Sequence, residues 1–263
     1  MFFVELVIVV LAYLIGSFST AVIVSGKLQM PDPRSYGSGN PGASNMLRSG
    51  RKDAAALTLL GDALKGMLAV LIALSLSNWL GLPPRVVAWS GIAVVVGHMW
   101  PLFFGFKGGK GVATALGVLL VLSPLTAMWC AAAWVVFAVK YKKSSLAAIV
   151  ACVLAILFGF VYSQYLAQGW SIFVIALLVL DRHRSNVCRL CDGTEPDIAE
   201  TAQPFQNSAV QSDAQQPQTQ PENQTPAEQA AAETTESETA DVSADSNATD
   251  NSQTENNQDN GKS

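Results

Sequence analysis

The sequence predicts an all-α fold: a polytopic membrane helix bundle of about seven transmembrane helices, N-terminus outside and C-terminus inside, followed by a disordered polar tail. Apolar runs long enough to cross a bilayer recur up to residue 181, the basic residues between them segregate to one side, and the composition changes abruptly near residue 200. Chain-wide values hide this division. A net charge of -4 and a pI near 5.2 would suit an acidic soluble protein. Residues 200–263, however, hold twelve acidic residues against Lys262 alone, which leaves residues 1–199 with a net charge of +7. The expected organisation is a basic membrane-integral domain over 1–199 and an acidic polar tail over 200–263. After Val210 the only large aliphatic is Val242, so the tail has too little apolar surface to offset the entropy of ordering. It reads as a solvated tether.

The apolar runs cover about 3–25, 54–80, 86–104, 111–122, 125–139, 146–162 and 167–181. The first lacks the basic start and small-residue cleavage site of a signal peptide and carries Glu5, so it reads as a retained helix. The fourth and fifth meet at Ser123-Pro124 and can equally be one bent element, which leaves counts of five or six spans open. Charge supports seven. With the N-terminus outside, the inside segments collect Lys27, Arg34, Arg48, Arg51, Lys52, Lys107, Lys110, Lys140, Lys142, Lys143, Arg182, Arg184 and Arg189, and the outside turns keep only Arg85.

This orientation brings three polar segments to one face. Residues 37–50, GSGNPGASNMLRSG, combine turn-forming glycines with Ser38, Asn40, Ser44, Asn45 and Arg48, donors suited to phosphate or carbonyl oxygens; alone, such a stretch is as easily a surface loop. Residues 97–114, GHMWPLFFGFKGGKGVAT, place His98 at the end of an apolar span and Lys107 and Lys110 among glycines. Glycines let backbone N–H groups converge on an anion, and a following helix N-terminus adds positive potential. A nucleotide P-loop is excluded, because Phe104 and Gly111 stand where that signature needs Gly and Ser or Thr. Residues 181–195, DRHRSNVCRLCDGTE, follow the last span with Arg182, His183, Asn186 and Arg189. Asp62 and Lys65, three apart within the second span, read as a structural ion pair. Cys188 and Cys191 form a CxxC with no second pair to complete a zinc site.

In this order, and separated by apolar helices, GSGNPGASN, GHMWPLFFGFKGGKGVAT and HRSNVCRLCDGTE closely resemble the three motifs of the bacterial acyl-phosphate:glycerol-3-phosphate acyltransferases, over about residues 4–195. The resemblance implies an inner-membrane enzyme of phospholipid biosynthesis with its active site facing the cytoplasm. It would transfer a fatty acyl group from acyl phosphate to glycerol 3-phosphate, giving lysophosphatidic acid and inorganic phosphate. The implied partners are these two substrates and membrane lipids; no nucleic acid, cofactor or metal is implied. Carried over motif by motif, Ser38, Arg48 and His183 are the expected catalytic residues. Asn40, Asn45, His98, Lys107, Gly108, Gly109, Lys110, Ser145, Asn186 and Arg189 are the expected substrate-binding residues. Ser44 stands where many relatives carry Thr.

The residue inventory agrees with such a reaction. Two phosphorylated substrates held close together repel unless cations are interposed, and Arg48, Lys107, Lys110, Arg182 and Arg189 are available for that. Ser38, Asn40 or loop N–H groups can serve the developing oxyanion. No His with an Asp five residues later is present, since Phe103 and Cys188 occupy those places. The proton acceptor is therefore His183 acting alone or, as favoured here, the acyl phosphate's own oxygens. The rival reading, a transporter of a phosphorylated solute, would need polar groups on both sides of the midplane, whereas the charge here is confined to one face.

Overall fold

The computed structural model describes residues 1–198, and all regular structure among them is helical. The expected tail over 200–263 lies outside the described residues. In chain order the helices are α1 (Phe2–Gly16), α2 (Thr20–Lys27), α3 (Ala43–Leu47), α4 (Lys52–Leu80), α5 (Arg85–Met99), a 3-10 turn (Leu102–Phe104), α6 (Val112–Leu122), α7 (Pro124–Tyr141), α8 (Ser144–Gly159), α9 (Leu166–Arg182) and α10 (Arg184–Cys191).

The polarity of α4 is inverted relative to a helix in water. It buries Ala54, Thr58, Asp62, Lys65, Gly66 and Ala69, and exposes Leu57, Leu60, Leu64, Leu68 and Trp79. A row of exposed leucines is stable against lipid tails, and small residues turned inward let helix backbones approach. On α6, a Cβ at Gly117 would collide with the Ala63 carbonyl of α4, and one at Gly66 of α4 with the Thr114 carbonyl of α6. The α4–α6 pair therefore packs backbone on backbone. Around it, Val70, Val94, Val95, Val118, Ile172 and Ile175 form the buried apolar core shared by α4, α5, α6 and α9. At the opposite end from the basic loops, Arg85 pairs with Glu5 of α1 at 3.0 Å.

Several elements depart from the apolar runs. The first run is two helices, α1 and α2, bent by 41°. At the break Ser17 N and Ser17 Oγ both return to Tyr13 O, each at 2.9 Å, and Lys65 Nζ takes the Phe18 carbonyl at 2.8 Å. The third run stops as an α-helix at Met99, just before Pro101, and the fourth and fifth are separate helices interrupted at Ser123 (φ -156°), with Pro124 opening α7. The last run continues past a 57° bend at His183 into α10. Three stretches, Lys52–Leu80, Arg85–Phe104 and Pro124–Tyr141, are long and apolar enough to cross a membrane singly, and the two bent pairs raise the number to 5. A count of seven also requires the shorter apolar helices α6 and α8 to cross.

Candidate active site

A single cavity of about 360 Å³ joins the three polar segments. Its polar end is lined by Ser38, Asn40, Asn45, Arg48, Lys110, Ser145, His183, Asn186, Arg189 and Glu195, together with Asp62 and His98; its apolar end runs between α6, α7, α8 and α9 past Leu119, Trp134, Ala151, Ala155, Ile172 and Ile175. The alanines on α8 leave room that larger side chains would fill.

The first segment is braced from within. Asn45, buried on α3, accepts from Ser38 N at 2.8 Å and Ser38 Oγ at 3.2 Å through Oδ1, and donates to Pro33 O at 2.7 Å and Tyr36 O at 3.2 Å through Nδ2. Its amide is fully used by the loop, so it shapes the site instead of offering a free donor. Arg48, one residue past α3, is half-buried at the cavity wall. Burial pushes its guanidinium down from the usual value, Glu195 opposes that shift, and Arg189 adds to it.

The two lysines of the second segment separate. Lys107 is exposed and absent from the cavity wall, whereas Lys110 lines it. Gly108 and Gly109 are buried under the loop, not open to the cavity: Gly109 N donates to His98 O at 3.2 Å, and a Cβ at Gly109 would collide with the His98 imidazole. On its other side Arg182 Nη2 donates to Gly108 O at 3.2 Å while its guanidinium lies 5.6 Å from the Trp100 ring centre, so Arg182 clamps the loop and is not a cavity cation. Gly111 then takes φ +84° and starts α6, a conformation that side chains disfavour. Gly111, Val112 and Ala113 line the cavity, so the free N–H groups of the α6 N-terminus open on it.

The third segment supplies the opposite wall. His183, buried at the α9–α10 bend, donates Nδ1–H to Val179 O at 2.8 Å, because a carbonyl can only accept; this leaves a lone pair on Nε2. Asn186 accepts from Lys110 Nζ at 2.5 Å and donates to Glu195 Oε1 at 2.7 Å. Arg189 Nε donates to Glu195 Oε2 at 2.8 Å. Sequence reasoning did not single out Glu195, although it closes the third motif; its signal was a carboxylate at the end of a segment that also carries Arg182, Arg184 and Arg189. It is the latch of the site, since Lys143 Nζ holds its carbonyl and also pairs with Asp197 at 2.9 Å. Ser145 sits in the first turn of α8 at the cavity wall, buried, its Oγ making no well-formed hydrogen bond among the described residues but lying near enough to Glu195 to favour the charged carboxylate. Cys188 and Cys191 are free and exposed on α10.

Desolvation dominates Lys110. Burial lowers its ammonium to about 8, with Glu195 opposing and Arg189, Arg48 and Arg182 reinforcing the shift. A lysine poised in this way gains most from an arriving anion.

Residues 6–193 match the family model described as glycerol-3-phosphate acyltransferase. A curated glycerol-3-phosphate acyltransferase of Neisseria meningitidis serogroup C / serotype 2a is 58% identical over 192 residues, 73% of this chain and 96% of that protein. One from Thiobacillus denitrificans is 49% identical over 197 residues, covering 75% and 98%. Among solved structures, PlsY (YgiH), described as an integral membrane glycerol 3-phosphate acyltransferase, matches in its glycerol 3-phosphate form with a TM-score of 0.68 at 40% identity, over 73% of this chain and 94% of that one. Its lysophosphatidic acid form matches with a TM-score of 0.66 at the same 40% identity, over 75% and 97%.

Proposed function

Because the chain belongs to the membrane-integral glycerol-3-phosphate acyltransferase family, we propose that it takes the acyl group from acyl phosphate and transfers it to glycerol 3-phosphate. The products are 1-acyl-glycerol 3-phosphate and inorganic phosphate. The reaction serves phospholipid biosynthesis at the cytoplasmic side of a bacterial inner membrane, the side to which the basic loops point. One observation carries the reading: a single cavity has a cationic polar end and an apolar end, which suits an acyl chain with a phosphate at its head.

Two phosphates within a few ångströms repel strongly in a partly desolvated site. Arg48, Lys110 and Arg189 offset that repulsion, and the α6 N-terminus adds N–H donors to the phosphate beside Lys110. Ser38 and Asn40 supply donors to the carbonyl oxygen as it becomes an oxyanion; the Ser38 hydroxyl leaves its 3.2 Å contact with Asn45 at little expense. Ser145 Oγ adds a donor on the far wall. The hydroxyl of glycerol 3-phosphate forms the new C–O bond while the carbonyl carbon's bond to the phosphate oxygen breaks. His183 Nε2 accepts the hydroxyl's hydrogen bond and aims it, and the departing phosphate takes the proton. The donor is already activated, so alignment and charge neutralisation carry the rate.

Full-length protein purified in detergent and given acyl phosphate with glycerol 3-phosphate should release inorganic phosphate in step with lysophosphatidic acid, and acyl-CoA should not replace the donor. Product formed from acyl-CoA with none from acyl phosphate would overturn the reading.

A further inference from the structure

One buried ionic cluster at the cavity wall has no task in the reaction described above. Asp62 and Lys65 of α4 and His98 of α5 are only 2%, 8% and 7% exposed. Lys65 Nζ lies 2.8 Å from Asp62 Oδ1 and donates to the Phe18 carbonyl at the α1–α2 break. His98 Nδ1 is buried without a hydrogen bond of its own, 3.4 Å from the same Asp62 Oδ1. Removing charges from water is expensive. The α4–α6 contact is already made by glycines, and tying α4 to the break needs only Lys65 and a carbonyl. Neither role requires a histidine beside the pair.

The other edge of the imidazole faces the loop that carries Lys110. The backbone of Gly109 rests on His98 O, and the Gly109 Cα sits over His98 Nε2 so closely that a Cβ there would collide with the ring. Asp62 and His98 both line the cavity.

We propose that Asp62 is a positioning residue of the acyl-transfer site, a role that rests on the reaction proposed above. It takes Nδ1–H of a neutral His98 and so fixes the ring as the floor of the 107–111 loop. Lys65 and Asp62 cancel each other's charge, so a neutral imidazole leaves the cluster balanced. With the proton held on Nδ1, Nε2 presents a lone pair that the Gly109 Cα–H can approach, where an N–H would push it away. The ring then sets the height of the loop, and with it Lys110 and the first N–H groups of α6. The 3.4 Å separation is long for a hydrogen bond and is closed by a small movement of either side chain.

The chain contains 2 histidines, so full-length protein labelled with ¹⁵N in its histidine rings gives two imidazoles, and His183→Gln identifies which is which. The expected spectrum shows His98 as the Nδ1–H neutral tautomer. In Asp62→Asn this fixed tautomer is lost, and KM for acyl phosphate rises about tenfold or more while kcat falls less, as expected for a displaced binding group; Asp62→Glu recovers part of the loss. Because Asp62→Asn strands the Lys65 ammonium, the doubly neutral Asp62→Asn, Lys65→Met chain is measured beside it, with the same kinetic defect expected. An Nε2–H tautomer in the unaltered protein overturns the proposal, as does a double variant that keeps both the tautomer and KM. The spectrum is recorded without substrate, so it decides the role of Asp62 even if acyl phosphate is not the donor.

Discussion

At the scale of single residues, Lys107 and Lys110 are equivalent in the sequence and unlike in the fold. The chain folds Gly108 and Gly109 under itself against His98, which sends Lys107 to solvent and Lys110 to the cavity. Lys110 is charged below its value of about 8 and loses the charge as pH rises through it. Since kcat/KM reports the free enzyme, kcat/KM for acyl phosphate should fall as pH rises through about 8. Lys110→Arg keeps its charge there, so its profile should lose that limb while its maximum is lower, because a planar fork does not replace a compact ammonium. A falling limb retained in Lys110→Arg would assign the titration elsewhere. Gly109→Val should abolish turnover without altering charge, since its side chain must enter the space of the His98 ring; near-normal kinetics would reduce the loop to a turn. The three motifs were legible because polar residues stand out between apolar helices. The latch at Glu195 was not, because Asn186 and Arg189 of α10 hold its carboxylate only once the chain has turned back on that helix, and Lys143, at the start of α8, is 52 residues away.

At the scale of helices, the sequence exposed the apolar runs but not their breaks. Hydropathy dips only briefly at Ser17–Ser19 and does not reveal the break, which is held by the Ser17 hydroxyl returning to Tyr13 O and by a lysine 47 residues away taking the stranded carbonyl. Nor does hydropathy say which face of α4 is inward: leucine and glycine both count as acceptable in lipid, and only packing separates them. That separation is measurable. Gly117→Leu forces a side chain against the Ala63 backbone and should lower the thermal unfolding midpoint in detergent, by the equivalent of about 1–3 kcal/mol of overpacking. Activity should fall with it, because α6 carries Gly111 and Lys110 at its start. Leu64→Ala on the exposed face of α4 should change neither. Equal behaviour of the two variants would mean that α4 and α6 are not in backbone contact.

At the scale of the whole molecule, charge segregation made one face basic in the sequence, and the same face holds the polar end of the cavity. The opposite end carries the ion pair between Glu5 and Arg85. What the sequence left open was how loops separated by long helices share one site; the answer is that the C-terminal ends of α5 and α9 meet the start of α6, bringing His98, Lys110 and His183 around one space. On the reaction proposed above, the two substrates come to that space from different phases. A polyol phosphate reaches the polar end from water, at a rate set by its bulk concentration. An acyl phosphate, whose chain favours burial by roughly 0.8 kcal/mol per methylene, reaches the apolar end only from the lipid or micelle in which it is dissolved. The enzyme should therefore show surface dilution: adding inert detergent at constant total acyl phosphate lowers the rate in proportion to the donor's mole fraction in the micelle, while KM for glycerol 3-phosphate in bulk units stays put. On that reading membrane composition becomes a rate constant's hidden variable, and turnover follows how crowded the surrounding bilayer is with precursor.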